Sequence, residues 1–268
     1  MSRKKRRKTI SVEDIPADDH KYEDIHIESS DRKGIMGFVE TVLRRFRTPM
    51  FALFLSPIAI LYILSIGLSA SPSLFLLHEA YELTMELFPV WRFLILGISL
   101  ACAWILYGLI LIFIVPILNL PFIRFVKPTR CIWYSVEIVP WFYHNALVQL
   151  VRFTFLDIIT PTPLNLLFFK LMGMKVGKGC VLNSSNISDP CLITLGDYVT
   201  IGGSATIFAH YGMKGYLIID KVEIKRGSTI GLKASIMGGV VVGENNTIAP
   251  HRVIMPKTII PDLDKPAN

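Results

Sequence analysis

Hydrophobic residues follow three different rhythms along this chain. The runs PMFALFLSPIAILYILSIGLSA (49–70) and FLILGISLACAWILYGLILIFIV (93–115) contain no charged residue. Apolar runs of this length can cross a hydrocarbon core of about 30 Å as helices, so the pattern predicts a transmembrane hairpin, kinked in its first arm at Pro57. Residues 116–170 stay apolar but are interrupted by Pro116, Pro121, Pro128, Pro140, Pro161 and Pro163. Trp133, Tyr134, Trp141, Phe142 and Tyr143 mix there with Arg124, Lys127, Arg130 and Arg152, a composition suited to the headgroup zone. The segment 141–159, WFYHNALVQLVRFTFLDII, is therefore expected to be an interfacial helix lying along the membrane, the alternative being a third transmembrane span, which His144, Gln149, Arg152 and Asp157 disfavour.

The third rhythm begins near residue 171. Ile224, Ile230, Ile236, Val242, Ile248, Ile254 and Ile260 recur every six residues, and Leu195, Ile201 and Ile207 form a second series in another register. A helix turning 100° per residue would carry such a series around its axis. In an extended chain six is a multiple of two, so every member points the same way. Val199, Ala205, Ser228, Ala234 and Val240 fall two before the next aliphatic residue, hence on the same inward face. Glycine follows immediately at Gly196, Gly202, Gly231 and Gly243, suggesting a corner after each short strand. Short strands, tight corners and an aliphatic stack describe a parallel β-solenoid.

Four regions result: a polar tail (1–34), the helical hairpin (35–121), the interfacial region (122–170) and the solenoid (171–262), with a short tail at 263–268. The first tail combines the basic block Arg3–Lys8 with the acidic residues Glu13, Asp14, Asp18 and Asp19, and its few large apolar residues predict disorder. A mean hydropathy of +0.50 and a net charge of +7 fit a membrane protein with a basic face toward anionic lipid, rather than a nucleic-acid binder. Arg44, Arg45 and Arg47 precede the first apolar run, and Arg124, Lys127 and Arg130 follow the second. The segment between the runs carries Glu79, Glu82 and Glu86. The positive-inside bias places both termini, and with them the solenoid, in the cytoplasm of a multi-pass protein of the cell membrane. Cys102, Cys131, Cys180 and Cys191 form no CxxC and no zinc-spaced cluster, so reduced structural thiols and no metal site are expected.

The pattern [LIV]-G-x-x-small-x over 171–262 resembles the hexapeptide-repeat acyltransferases. The stretches TPLNLLFFKLMGMKVGKG, ISDPCLITLGD, IFAHYG and KVEIKRGSTIG look like membrane-associated members of that family, among them the C-terminal modules of poly-amino-acid synthetases of the poly-lysine type. The resemblance implies a left-handed parallel β-helix, assembly as a homotrimer and acyl transfer from a thioester. It also implies a histidine base near a loop, the position His210 occupies. Acetyl-CoA or another acyl-CoA is one donor class; an acyl or peptidyl carrier protein is the other, as in the poly-lysine-type relatives. No permanently bound cofactor is expected.

The residues themselves point to the same place. Ile207 and Ile224 are seventeen apart, which breaks the period, and FAHYGMKGYLIIDK is thrown out between them. Loops on rigid scaffolds carry function, and imidazole is suited to taking a proton from an attacking hydroxyl or amine. His210 is thus the expected general base. His251 and His144 are the other histidines weighed, with a surface and an anchoring role respectively. Donor phosphates would need cations, for which Lys233, Arg252 and Lys257 are candidates, beside Lys225 and Arg226. Asn183 and Asp197 are candidates for orienting the acceptor. Asn246 and Arg252 depart from the repeat by placing polar residues where small ones are expected, and the donor-site ending of soluble acetyltransferases is missing. The leading expectation is a membrane-anchored acyltransferase working on a lipid-associated acceptor. A non-catalytic trimeric scaffold and a zinc-dependent hydratase on the same fold are the alternatives.

Overall fold

The computed structural model describes residues 28–30 and 33–263. The basic block and acidic stretch of the N-terminal tail lie outside the described residues.

Helix α1 (Gly34–Leu55) is followed after one residue by α2 (Pro57–Leu83). Pro57 lacks an N–H and its ring clashes with the preceding turn, so the helical ladder is interrupted at Ser56, which itself keeps helical dihedrals (φ −55°, ψ −31°). Tyr143 donates its hydroxyl to the Phe54 carbonyl at 2.7 Å beside this break. A second irregularity at Arg47 (φ 38°) kinks α1. Helix α3 (Pro89–Ile123) returns antiparallel after a connection of only five residues, 84–88. The acidic segment expected to loop between the spans is therefore mostly helix, with Glu79 and Glu82 on α2. Ser65, Ser69 and Ser73, four apart, are buried on one face of α2, where small side chains let helices approach closely. At 1.5 Å per residue, α2 and α3 are about 40 and 50 Å long, and both are apolar enough to cross a membrane.

The segment expected to lie along an interface forms a layer against α3 and the β-domain, with Phe153 and Ile158 exposed. Helix α4 (Val139–Val151) continues through a π-turn (Arg152–Leu156) to Ile159, packed between α3 and the β-domain. Trp141, His144, Leu147, Val148, Val151, Phe155 and Leu156 are buried. The physical reason is a matched pair of surfaces. The Phe155 ring sits where a Cβ on Gly108 of α3 would be, within 2.1–2.3 Å. On the opposite side, Gln149 reaches Ser188 at 3.4 Å, Arg152 bonds Asn186, and Ser185 bonds Asp157.

The β-domain is a three-sided parallel solenoid. Strands β2 (Lys175–Val176), β5 (Ile193–Leu195), β10 (Val222–Ile224), β13 (Val241–Val242) and β16 (Ile259–Ile260) stack into one sheet. The second holds β3 (Val181–Leu182), β6 (Thr200–Ile201), β11 (Thr229–Ile230) and β14 (Thr247–Ile248). The third holds β4 (Ile187–Ser188), β7 (Thr206–Phe208), β12 (Ser235–Ile236) and β15 (Val253–Ile254). Ile224, Ile230 and Ile236 align with Val242, Ile248 and Ile254, eighteen residues on. One coil is thus three strands of period six. The inward aliphatic residues and the small set Val199, Ala205, Ser228, Ala234 and Val240 are buried together, each large side chain worth about 1.5–3 kcal/mol of burial.

Two irregularities break this stack, both at the corner after the third sheet. Ile207 aligns with Ile236, twenty-nine residues on rather than eighteen, so this coil carries eleven extra residues. They form the hairpin β8 (His210–Met213) and β9 (Tyr216–Ile219). Lys214 and Gly215 at its tip both have positive φ, as a two-residue type I′ turn requires. Strand β1 (Thr129–Ile132), just beyond α3, pairs with β9 and anchors the hairpin to the helical half. One coil earlier, Ile187 and Leu195 are eight apart instead of six. The surplus is a 3-10 turn at Pro190–Leu192, introduced by Asp189 in the left-handed region (φ 59°).

Candidate active site

Both irregular corners belong to the same edge of the solenoid. Ser188 aligns with Phe208, which brings Asp189 beside Ala209 and His210. The Asp189 carboxylate is fully buried and receives three donors. Its Oδ2 accepts from the Ala209 backbone N–H at 3.0 Å and lies 2.6 Å from His210 Nδ1; its Oδ1 accepts from Trp141 Nε1 at 2.6 Å. A buried carboxylate requires such partners to remain charged. Because a carboxylate only accepts, Nδ1 carries the imidazole proton and Nε2 presents a lone pair. The His210 side chain is 24% exposed, with Trp141 edge-on at 4.8 Å and Phe208 at 5.7 Å between ring centroids. This geometry sets the tautomer and orientation of the imidazole from the carboxylate beneath it, an arrangement able to serve a base.

The neighbouring coil leaves room for the dyad. A Cβ on Gly238 would stand 3.0–3.2 Å from Ala209 C, His210 N and Ala209 O, so a side chain there would press the backbone of the dyad outward by a few tenths of an ångström. Behind the dyad lies a second polar set. His144 is buried, with Nδ1 3.1 Å from Asn119 Oδ1 on α3 and Nε2 3.5 Å from Cys191 Sγ. Burial pushes the His144 imidazole down to about 4. Burial, reinforced by the Asp189 charge, pushes the Cys191 thiol up to about 12. This pair is a neutral imidazole and a neutral thiol, one residue layer from the dyad.

The other residues singled out from sequence are distributed differently. Lys257 (φ 60°) lies on the dyad's edge, two coils further along, its N–H donating to Gly238 O at 3.1 Å. Lys233, His251 and Arg252 lie at the corner after the second sheet. Lys233 and His251 adopt positive φ as corner residues, and Arg252 is exposed because no further coil covers it. Asn246 is buried instead and bonds the Pro261 and Glu244 carbonyls at 2.8 and 3.2 Å, satisfying backbone at the end of the stack. Asn183 is exposed at the second corner, away from the dyad. Asp197 lies at the first corner and accepts from the Lys178 N–H of the preceding coil at 2.7 Å, a bond that stacks coils. The structure therefore brings neither Asn183 nor Asp197 to His210. The partners that sequence reasoning missed are Asp189 and Trp141. A signal for Asp189 was available: the five- and eight-residue spacings around Ile187 mark a second break, at ISDPC.

No protein-family model matches the chain. A delta-poly-L-ornithine synthetase of Acinetobacter baumannii is 25% identical over 96 residues, 36% of this chain. The chain spans 7% of the length of that curated relative. Among solved structures, a serine acetyltransferase of Neisseria gonorrhoeae in complex with serine is 17% identical, covering 89% of this chain and 98% of its own, at a TM-score of 0.28. A hexapeptide-repeat acetyltransferase of Vibrio cholerae complexed with acetyl coenzyme A is 15% identical, covering 47% and 85%, at 0.31. These structural neighbours are acetyltransferases, one of them described as hexapeptide-repeat. At these TM-scores the fold rests on the strand pairing described above, and the chemistry on the dyad.

Proposed function

We propose that this protein is a membrane-anchored acyltransferase that moves an acyl group from a thioester to a hydroxyl or amine, with His210 as general base. The observation that carries the proposal is the buried Asp189 carboxylate 2.6 Å from His210 Nδ1. His210 Nε2 takes the acceptor's proton as its oxygen or nitrogen attacks the thioester carbonyl. The tetrahedral adduct collapses with cleavage of the C–S bond, and the imidazolium returns the proton to the leaving thiolate. Asp189 remains ionised and stabilises the imidazolium. The donor is an acyl-CoA or, as the resemblance to poly-lysine-type synthetase modules implies, an aminoacyl thioester on a carrier protein.

The apolar helices α2 and α3 support placement in a membrane, with the solenoid on the cytoplasmic face and a membrane-associated acceptor. We further propose that the solenoid is left-handed and assembles as a homotrimer. Lys257, on the dyad's edge, is the better placed of the proposed donor-binding cations. The test is thiol release from acetyl-CoA by the purified protein in nanodiscs of native lipid, with mass spectrometry of the acylated product. His210→Ala should abolish transfer in a protein that still folds, with a somewhat lower melting temperature because it removes one of the three donors to buried Asp189. Unchanged turnover in that variant would falsify the mechanism.

A further inference from the structure

A concavity of about 380 Å³ lies between α1, the end of α3, β1, β9 and the start of α4, within the usual size range of ligand sites. Its wall is formed by Met36, Val126, Val136, Pro140, Trp141 and Ile219. Two features tie it to the dyad. The Trp141 indole that forms its inner wall is the one that donates to Asp189 and packs on His210. Ile219 is directly opposite His210 in the β8–β9 pairing.

The rim points elsewhere. Ile35, Met36 and Phe38 on α1 are 82%, 51% and 72% exposed, and Phe125, two residues past α3, is 61% exposed. Phe125 and Val126 of the lining directly follow α3, which ends at Ile123, so the concavity opens where an apolar helix ends, and Ile117 and Leu120 on that helix are exposed as well. Lys127 lines the same rim and is exposed, with Arg124 three residues before it. Glu137 lines the same lip and is exposed, so Lys127 with Arg124 just beyond leaves one net positive charge there. An apolar chamber with a net positive lip at the end of an apolar helix matches an aliphatic chain below an anionic headgroup.

We propose that this concavity holds an acyl chain of an anionic bilayer lipid, with the headgroup phosphate at Lys127 and the chain against Trp141. The proposal rests on the membrane placement in the functional reading above, not on acyl transfer. It makes the site beside the dyad continuous with the bilayer.

The test uses the full chain in nanodiscs with phosphatidylglycerol carrying a diazirine in one acyl chain, photolysed and mapped by peptide mass spectrometry. Labelling is expected on the segments containing Val126 and Val136–Trp141. It should fall at least fivefold in Val136→Trp, which fills the chamber from the α4 side, and in Met36→Trp, which fills it from α1. Labelling of the outward faces of α2 and α3 in the same samples reports correct insertion. Label confined to α2 and α3, or unchanged by both tryptophan variants, overturns the site. Equal labelling by diazirine phosphatidylcholine overturns the headgroup assignment at Lys127. Turnover and labelling measured together separate the two readings: in the unsubstituted protein, turnover without labelling of the chamber sinks this one alone, and in His210→Ala, retained turnover with retained labelling sinks the catalytic role of His210 and leaves this one standing.

Discussion

Asp189→Asn preserves side-chain shape while removing one charge, and it makes the dyad's electrostatics measurable. All three hydrogen bonds to Asp189 come from donors: Trp141 Nε1, Ala209 N and His210 Nδ1. An asparagine can turn an oxygen toward only one side. If its amide nitrogen replaces Oδ1, it faces the indole N–H donor to donor. If it replaces Oδ2, it faces the Ala209 N–H and drives the proton of His210 to Nε2, where the base must be free. The lost charge adds to this. At about 4 Å between charge centres and an effective dielectric of about 20, the carboxylate stabilises an imidazolium by about 4 kcal/mol. That corresponds to nearly a thousandfold in rate. The assay is thiol release from acetyl-CoA in native-lipid nanodiscs, resolved into kcat and KM. We expect kcat to fall between a hundredfold and a thousandfold, with KM for acetyl-CoA within threefold, because Asp189 is buried and touches no substrate. A loss below tenfold, or a loss residing in KM, would refute the assignment of Asp189 as the residue that orients and charges the base.

Three further outcomes follow from the same geometry. Trp141→Phe removes one of three donors to a buried carboxylate, costing about 1.5–3 kcal/mol; a lower melting temperature and at least tenfold slower turnover are expected, and unchanged turnover counts against the role of the indole. Gly238→Ala places a Cβ 3.1 Å from His210 N, so activity should fall at least tenfold, while the melting temperature moves by only a few degrees; full activity would show that the corner yields without displacing the dyad. Burial holds His144 near 4, below its unfolded value of about 6.5. The stability it permits is complete above pH 6.5 and declines by about 1.4 kcal/mol per pH unit as pH falls toward 4. Denaturant unfolding of His144→Gln should therefore show a shallower loss of stability across that window, and parallel curves for the two proteins would contradict the neutral buried imidazole.

The solenoid was legible because its requirement repeats locally. Every inward position needs an aliphatic side chain, every corner needs a residue that turns, and the two recur every six residues from Ile224 to Ile260. The helical pair was legible for a similar reason: an apolar run needs no distant partner to be recognised. The packing of segment 141–159 was not legible, because a mix of aromatic and charged residues looks alike at a lipid interface and between two protein layers. Its charged and polar members, Arg152, Asp157 and Gln149, find partners on the first coil, which sequence spacing does not reveal.

The sequence by itself determined the strand period, the inward stack, the two apolar helices and the break that carries His210. The tertiary structure alone decided what His210 faces. Asp189 is 21 residues away along the chain and Trp141 is 48 before Asp189. They meet because one coil lies on the next, because a two-residue surplus turns Asp189 inward, and because α4 packs along that corner. Periodicity is a property of neighbours in the chain. A buried charge and its three donors are a property of coils and helices stacked together, and only the packed molecule assembles them.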